Sequence, residues 1–457
     1  MGRKRHKRKT HSLDHSPENS PHFEEVVNIH SIHHALTLAS KGKYKRPDVM
    51  IVVKHDTHYI MKFLKELYDG TYRPMPYEHF TITKPKNRAV IAAPFPDRVI
   101  HQLIVEYIFK PYFVPLLSPH TFACLKGRGV HNAIKHFQKR VRSLVKDRDF
   151  GYIVKMDISK FFYSIDRDLL LKLVKETLKD ERLIQIVDFT IHTDASGEYD
   201  MSKIPGMEHE DSSKKGIPIG NVTSQYLANI YMNVLDTYIT NTVLPNAGMK
   251  SYDYVRYMDD FLIFVRTKEE ARDALQKIQD FAWQSLELRL NTKSQIIKVY
   301  PDTAVLFCGY LISSKATYIS GRNQRSLRPF FKIKSAEEFS ERFPSWIGHA
   351  GHCCNWWEYS AKFLKRNPVF MEWMGEYGEQ RTPALIRSME SSDFTVPPKN
   401  IKRRSKPNHK ERRREARRLA RQLAREEAEK KSPKPKPTAP KKPRKKKAKT
   451  PKQLSLL

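Results

Sequence analysis

The sequence predicts a mixed α/β (α+β) fold, in which long helices pack on a small sheet of mixed or antiparallel strands. Apolar residues recur at helical spacing in several long segments, and elsewhere they form short continuous runs of strand length. Two of these runs are separated only by two carboxylates, which indicates two strands joined by a tight turn. At 457 residues the chain is long enough for two or three domains with a sizeable core.

The elements can be placed by periodicity and by turn residues. Apolar residues at helical spacing predict helices over 33–43, 58–70, 97–113, 166–180, 224–243 and 268–286, the second of which ends at Gly70. Residues 335–365 should form two further helices joined near Phe343–Pro344. Strands are expected at two places within 78–93, at the start of 151–165, on both sides of the turn in 254–267, and once at 304–313.

Positive charge is concentrated at the two ends of the chain. The net charge is +33, of which residues 401–457 contribute +19 and residues 1–10 contribute +6, so the rest carries +8. A charge of this size implies a polyanionic partner. We therefore expect a flexible basic N-terminus over residues 1–24 and a basic, largely disordered tail over residues 396–457.

Cysteine content and apolar runs bear on the cellular compartment. The start of the chain is basic but is not followed by an apolar stretch, so it does not resemble a secretory signal. No apolar run approaches the ~18 residues of a membrane span. A reducing cytoplasm without membrane association is therefore expected, since the four cysteines include no CxxC pair and are too few for a disulfide framework. They are Cys124, Cys308, Cys353 and Cys354.

Residues 257–260, Tyr-Met-Asp-Asp, place two adjacent carboxylates in the turn between two apolar strands. Like charges this close repel unless something neutralises them, and a pair of divalent cations would do so. Phosphoryl transfer can use two such ions roughly 3.5–4 Å apart, one activating a 3′-hydroxyl and one holding a triphosphate. Mg²⁺ prefers the oxygen ligands that carboxylates, phosphates and water provide. The alternative is a solvated hairpin tip, where neighbouring aspartates are common.

A second source of carboxylate favours the metal site. Asp157 ends an apolar strand and is followed by the aromatic pair Phe161 and Phe162. On its own, such an aspartate is usually a helix N-cap or a turn residue. Its strand, its neighbours and its distance along the chain from Asp259 fit an arrangement in which Asp157 lies beside the hairpin, so that three carboxylates converge.

Seven sequence blocks between about residues 50 and 365 resemble, in order, those of reverse transcriptases. They are KPKNRAVIAAPFPDRVIHQLI, FACLKGRGVHNAI, VKMDISKFFYSI, GIPIGNVTSQYLANIYMNVLD, YVRYMDDFLIF, LELRLNTKSQII and LFCGYLIS. The resemblance implies a right-hand polymerase, with fingers and palm over residues 25–330 and a helical thumb over residues 331–395. It implies RNA-directed DNA synthesis, in which template RNA and dNTPs give cDNA with two Mg²⁺ ions, or with Mn²⁺ as the alternative.

The resemblance also implies roles for individual residues. Asp157, Asp259 and Asp260 would be the catalytic carboxylates and metal ligands, together with the carbonyl of Ile158. Nucleotide-binding roles fall on Lys84, Lys86, Arg88, Phe162, Ile219 and Gly220, with Phe162 as the steric gate against a ribose 2′-hydroxyl. Template or primer contacts fall on Gly127, Arg128, Lys293, Phe307 and Gly309. For the lysines and Arg88 the alternative is an exposed basic turn, and for the glycines and Phe307 a structural role.

The block GIPIGNVTSQ resembles the reverse transcriptases of diversity-generating retroelements. Most cellular relatives have Gln where this chain has Ile219, and Pro where it has Gln225. The enzymes that this block resembles miscopy template adenines, diversify a target gene and usually work with a small basic accessory protein. Gln can hydrogen-bond beside the nascent base pair and Ile cannot, so discrimination could fall by ~1–3 kcal/mol. The alternative is that Ile219 is an ordinary packing variant.

Two other functions and one metal site are alternatives. A retron-like or defence-type reverse transcriptase is one, because residues 132–136 (NAIKH) resemble a retron signature. A catalytically retired RNA-binding scaffold is the other, although unneeded carboxylates would only weaken its binding to a polyanion. His349, His352, Cys353 and Cys354 are of the types that bind zinc, but their spacing matches no closed four-ligand site. Packing of this segment against template and primer is therefore favoured.

Overall fold

Helices and short antiparallel strands make up the computed structural model, which describes residues 20–83, 88–146, 148–193, 197–326, 333 and 335–355. The helices are α1 (Phe23–Val26), α2 (Ile29–Ser40), α3 (Pro47–Lys54), α4 (Asp56–Tyr68), α5 (Phe95–Ile104), α6 (Val130–Val145), α7 (Phe161–Ser164), α8 (Arg167–Thr177), α9 (Glu181–Ile191), α10 (Val222–Tyr238), α11 (Leu244–Asn246), α12 (Lys268–Leu286), α13 (Gly321–Arg325) and α14 (Ala336–Ala350). The strands are β1 (Glu78–Ile82), β2 (Arg88–Ala92), β3 (Gly151–Asp157), β4 (Tyr254–Tyr257), β5 (Asp260–Val265), β6 (Gln295–Val299), β7 (Val305–Phe307), β8 (Tyr310–Ile312) and β9 (Thr317–Ile319).

The central sheet is antiparallel and has the order β4-β5-β3-β6. Its strand β3 is hydrogen-bonded on both edges and covered on both faces. Ile153 lies in the core on one face, whereas Val154 and Met156 lie in the core on the other. Burial on both faces explains why this strand is an almost continuous apolar run rather than an alternating one.

The two faces of this sheet have different coverings. On one face, apolar residues of α2, α5, α8, α10 and α12 form the largest core. On the other face, α6 packs with the three-stranded sheet β7-β8-β9 and with Trp346 of α14. The sheet therefore lies between two apolar layers, and its strand ends remain available for a site.

The strand pair predicted over residues 78–93 is present as the antiparallel hairpin β1–β2. Residues 84–87, which join the two strands, lie outside the described residues, and with them Lys84 and Lys86. The backbone amide of Ile91, in β2, also donates to the carbonyl of Ile219 at 3.1 Å. This contact ties β2 to a distant part of the chain.

Most predicted helices are present, with differences that proline and periodicity explain. The helix predicted over 97–113 is α5 followed by a π-helix, Val105–Phe113, which contains Pro111. A proline cannot donate the usual backbone hydrogen bond, so an irregular helix at this point has a physical reason. The break predicted near Phe343–Pro344 is wrong, because α14 continues through both residues. The single strand predicted at 304–313 is also wrong, since β7 and β8 form a hairpin.

Several expectations concern parts of the chain outside the described residues. The basic segments 1–19 and 396–457, and most of the helical region expected over residues 331–395, lie outside the described residues. Where helices are described, none has the length and apolarity that crossing a bilayer requires. No disulfide joins the four cysteines, all of which lie in the described part of the chain.

Candidate active site

Three aspartates meet at one end of the central sheet. Asp157 is the last residue of β3 and lies directly opposite Asp260, the first residue of β5. Strands β4 and β5 are joined by the two-residue turn Met258–Asp259, in which Met258 has a φ of 60°. The amide of Ile158 donates to the Asp259 carbonyl at 3.2 Å, which fastens the turn to the end of β3. The predicted carboxylates are therefore neighbours although more than 100 residues separate them in sequence.

Two side chains that the sequence did not single out hold these carboxylates. The Lys155 ammonium donates to Asp260 Oδ1 at 2.6 Å, since Lys155 and Asp157 project on the same face of β3. Asn291 donates from its side chain to Asp157 Oδ2 at 3.1 Å and from its amide to the Asp157 carbonyl at 2.7 Å. Each of these side chains is more than 100 residues from the aspartate side chain that it contacts, so the motifs that contain them did not indicate the contacts.

The electrostatics of the site favour a bound cation. Burial, together with the charge of Asp157, raises the pKa of Asp259 to about 6, while Arg88 acts in the opposite direction. Burial also raises the pKa of Asp260, although the ammonium of Lys155 opposes that shift. Negative charge at the turn is therefore only partly compensated by the protein, and an added cation would relieve it.

The donor atoms suit a hard divalent ion, but the side chains are not gathered around a single point. Among the described residues there is no group of three or more His, Cys, Asp or Glu side chains arranged to hold a metal as it stands. Carboxylate oxygens and uncompensated charge are nevertheless what Mg²⁺ requires. Ile158 buries its side chain in the main core, so only its backbone could contribute. Binding would require the carboxylates to turn from Lys155 and Asn291 toward the ion.

Arg256 holds the Met258–Asp259 turn in place through buried polar contacts. Its guanidinium is fully buried and pairs with the equally buried Asp236 at 2.6 Å. It also donates to the Asn229 side chain at 2.9 Å and to the Met258 carbonyl at 3.0 Å. The last bond reaches the turn that carries Asp259, which makes Arg256 a positioning residue. An arginine within an otherwise apolar strand was the sequence signal that could have revealed it.

The nucleotide-binding candidates that the structure describes lie on β2, on α7 and in the segment before α10. Arg88 is exposed at the first position of β2, and its charge acts on Asp259. Phe162 is half-buried in α7, and its ring contacts that of Phe161 at a centroid distance of 5.5 Å. Its carbonyl accepts a hydrogen bond from the Ile217 amide at 3.0 Å. Phe162 is thereby linked to the segment that carries Ile219 and Gly220.

Gly220 lies against β2. Its φ is 132°, and a Cβ at this position would lie 3.1 Å from Val90 Cγ1 and 3.3 Å from the Ile91 carbonyl oxygen. The strand therefore gives a structural reason for glycine, in addition to the predicted approach to a base pair. The side chain of Ile219 is half-buried and packs against a small apolar cluster that includes Ile91 and Tyr199.

The template candidates lie before α6. Gly127 and Gly129 have φ values of 77° and 113° and flank Arg128. Arg128 Nη1 donates to the carbonyls of Ser118 and Thr121 at 2.7 and 2.9 Å. This guanidinium therefore braces the preceding loop, a structural use that the motif did not indicate, and its contact with template stays a prediction.

The primer candidates are divided between core and surface. Phe307 is fully buried and packs beside the ring of Phe137, which gives this ring a structural role, and its position near the primer stays a prediction. Gly309 is exposed and follows Cys308 in the β7–β8 turn, where the φ values of 49° and 81° match a two-residue hairpin. Burial, with the charge of Asp260, raises the pKa of the Cys308 thiol, so this turn lies near the aspartates. Lys293 is exposed in the turn after Asn291.

The histidines near the end of α14 make aromatic contacts. The His349 ring stacks on Tyr310 at a centroid distance of 4.1 Å, and the His352 ring lies 3.8 Å from that of His131. These histidines, Cys353 and Cys354 belong to the described residues, among which no group of three or more His, Cys, Asp or Glu side chains could hold a metal ion. The two histidine rings therefore have packing roles against β8 and α6.

Comparison with known proteins identifies related sequences. The family described as "Reverse transcriptase (RNA-dependent DNA polymerase)" matches residues 82–319, which include all three aspartates. Protein YkfC of Escherichia coli (strain K12) is 24% identical over 284 residues, which cover 55% of this chain and 71% of that protein. The group II intron-encoded protein LtrA of Lactococcus lactis subsp. cremoris is 29% identical over 318 residues. The putative COX1/OXI3 intron 1 protein of Saccharomyces cerevisiae is 23% identical over 306 residues.

The shared region is one part of the longer relatives. The match to LtrA covers 55% of this chain and 49% of LtrA, and the match to the yeast intron protein covers 56% of this chain and 34% of that protein. The chain thus spans about half the length of LtrA.

Proposed function

Because the chain belongs to the reverse transcriptase (RNA-dependent DNA polymerase) family, we propose that it makes cDNA by adding nucleotides from dNTPs to a 3′-hydroxyl on an RNA template. The observation that carries this proposal is the meeting of Asp157, Asp259 and Asp260 at the end of the central sheet, with negative charge that the protein only partly compensates. These carboxylates would hold two Mg²⁺ ions, or Mn²⁺, and such ions, when bound, would supply activation of the hydroxyl and charge neutralisation at the leaving pyrophosphate.

The remaining candidates divide the work of substrate binding. Arg88 would hold the triphosphate, since a guanidinium matches phosphate oxygens and this one already acts on Asp259. Phe162 would exclude a ribose 2′-hydroxyl by its bulk. The basic ends of the chain would bind RNA, and the cytoplasm would be the place of the reaction.

The test of the polymerase proposal is Asp259→Asn. Loss of this carboxylate should reduce cDNA synthesis by more than about a thousandfold, because two-metal catalysis depends on it. RNA affinity should change less than about twofold. Asp280→Asn, at an exposed position on α12, is the control and should behave as the parent. Substantial polymerisation by Asp259→Asn would sink the assignment, and an inactive parent that binds RNA would favour a scaffold.

We further propose that synthesis is error-prone at template adenines and serves targeted gene diversification by mutagenic retrohoming, with a small basic accessory protein. The support is the apolar Ile219 in the segment that lies along β2, the strand that begins at Arg88. An isoleucine at this position cannot hydrogen-bond to the nascent pair through its side chain.

Ile219→Gln tests this finer proposal. Misincorporation opposite adenine should fall by about tenfold or somewhat less, with little change opposite the other bases. The measurement is sequencing of cDNA made on one RNA template, with an accessory protein supplied where one is required. Leu306→Gln, an exposed apolar position on β7, is the control. A parent spectrum that is uniform over the four bases would reject the diversification role and favour a function like that of the intron-encoded relatives.

A further inference from the structure

Tyr199 contacts the segment of residues 216–221, which carries Ile219. This tyrosine is buried, and the amide of Ile219 donates to its hydroxyl oxygen at 2.6 Å. The same hydroxyl donates to the carbonyl of Ile217 at 3.4 Å. The Tyr199 hydroxyl thereby links the backbone groups on both sides of Pro218, although Tyr199 itself lies outside that segment.

The rest of the segment is fixed to the chain at the start of α8 and to the end of β2. The amide of Gly216 donates to the Ile165 carbonyl at 2.8 Å, and the buried Arg167 donates to the Gly216 carbonyl at 2.6 Å. On the opposite side, Ala93 donates to the Asn221 side chain at 3.0 Å. At Ile219 the carbonyl is bound to β2 and the amide to Tyr199. The position of Ile219 relative to β2 is thus set jointly by that strand and by one hydroxyl.

Tyr199 is itself held in place. Its ring meets that of Tyr163 edge-on at a centroid distance of 4.7 Å. A Cβ on Gly216 would lie 3.2 Å from the Tyr199 ring, and the φ of 92° at that glycine is one that other residues rarely adopt. Burial raises the pKa of Tyr199, so the hydroxyl keeps the proton that it donates. A rigid tyrosine can hold the segment at a fixed distance.

We infer that Tyr199 is a positioning residue for nucleotide selection, which acts by holding the Ile219 backbone against β2 beside the nucleotide-binding candidates. Because Tyr199 is buried, it would act through this segment and not on substrate directly. The inference rests on the proposed polymerase function and is independent of which template base is miscopied. Without the hydroxyl, the Ile219 amide loses its partner and the segment gains freedom. Incoming nucleotides would then be held less well, and mismatched pairs would be discriminated less.

The test compares Tyr199→Phe with Tyr231→Phe in the full-length protein. Tyr231 is a matched control, because it is fully buried and its hydroxyl also joins two backbone groups, the Leu286 carbonyl at 2.8 Å and the Asp166 amide at 3.4 Å. Tyr199→Phe should raise both the misincorporation frequency and the KM for dNTPs by about three- to tenfold. Tyr231→Phe should leave both unchanged, although thermal unfolding of the two variants should shift similarly.

Amide hydrogen exchange supplies a readout that is independent of activity. Exchange in residues 217–221 should accelerate in Tyr199→Phe and not in Tyr231→Phe. Unaltered exchange would overturn the bracing by Tyr199, and faster exchange with parental selectivity and KM would overturn its role in selection. If both variants changed selectivity alike, the effect would be general destabilisation and the inference would fail. A parent that makes no cDNA would instead refute the proposed function.

Discussion

Several residues at the candidate site are charged although they are largely buried. Asp259 has few opposing charges and a pKa of about 6, whereas Arg256 and Asp236 are a fully buried pair with hydrogen-bonded partners. The first arrangement leaves charge for a cation to bind, and the second holds the turn rigid. Stability and function therefore place opposite demands on neighbouring positions, and each can be tested separately.

Asp259 should destabilise the metal-free protein at neutral pH. Its pKa in the folded state is about 6 against an ordinary value of 3.8, so the folded state binds the proton more tightly. The resulting destabilisation is absent below about pH 4, grows between pH 4 and 6, and is complete above that range. We expect Asp259→Asn in EDTA at pH 7.5 to unfold at a higher temperature than the parent. Its unfolding free energy should be larger by on the order of 1–3 kcal/mol. A difference that is the same at pH 4 would contradict this explanation.

Arg256→Lys should damage both stability and activity. A lysine cannot pair with both oxygens of Asp236 and also reach Asn229 and the Met258 carbonyl, so buried acceptors are left without donors. We expect a loss of about 3 kcal/mol in unfolding free energy and at least a tenfold loss of cDNA synthesis. Denaturant unfolding and primer extension would measure the two effects. Arg266→Lys, at an exposed position, is the control, and parental behaviour of Arg256→Lys would refute the positioning role.

At the scale of elements, local signals predicted what local interactions determine. Helix α12 begins and ends as its pattern indicates, because Thr267 and Glu270 form a capping box and the apolar stripe is regular. The β7–β8 turn was missed because Cys308 at its centre is an unusual residue for a positive φ. The sequence predicts two helices where the continuous α14 lies, because a proline suggests a helix end. The family motif indicated the position of the aspartates, and their meeting is a tertiary fact that the strand pairing provides.

Apart from Arg256, the side chains that support the site carried no signal in the sequence that pointed to their contacts. Lys155 and Asp260 are 105 residues apart, and Asn291 and Asp157 are 134 apart. Tyr199 lies in a segment with no regular periodicity, so nothing indicated that its hydroxyl would meet Ile219. Motifs mark residues that act on substrate, whereas residues that hold them are chosen by the fold.

The contact between β2 and the segment around Gly220 can be tested with one methyl group. Gly220→Ala places a Cβ 3.1 Å from Val90 at a φ of 132°, so it should cost about 1–3 kcal/mol and reduce dNTP incorporation. Gly321→Ala is the control, because no heavy atom lies within 4 Å of its Cβ position and it begins α13. Thermal unfolding and single-nucleotide extension would measure the effects. Equal stability and activity of the two variants would show that β2 yields at this point.

At the scale of the whole molecule, charge and chemistry occupy different parts of the chain. The aspartates lie within the family region, whereas residues 401–457 carry a net charge of +19. The intervening fold is only moderately basic. Affinity for RNA and catalysis should therefore be separable by deletion.

Removal of residues 401–457 should weaken RNA binding and flatten its dependence on salt. Each phosphate contact that is lost lowers the slope of log affinity against log salt by about 0.7–0.9. Titrations at several salt concentrations with full-length and truncated protein would measure this. A tail of equal length with Gln in place of Lys and Arg separates charge from length and should match the truncation. Identical slopes for all three proteins would show that the tail does not contact nucleic acid.

The order of strands in the central sheet also sets when the site can form during synthesis. Strand β3 pairs with β5 and β6, both of which follow it by more than 100 residues. At about 5–20 residues per second, a ribosome needs roughly 7–30 s to reach the end of β6 after completing β3. Until β5 is complete the apolar strand β3 lacks both neighbours, and it lacks β6 for the whole interval, so the nascent chain exposes an unpaired strand that is prone to aggregation. The aspartates cannot come together before β5 has emerged, so the candidate site is incomplete on any shorter ribosome-bound chain.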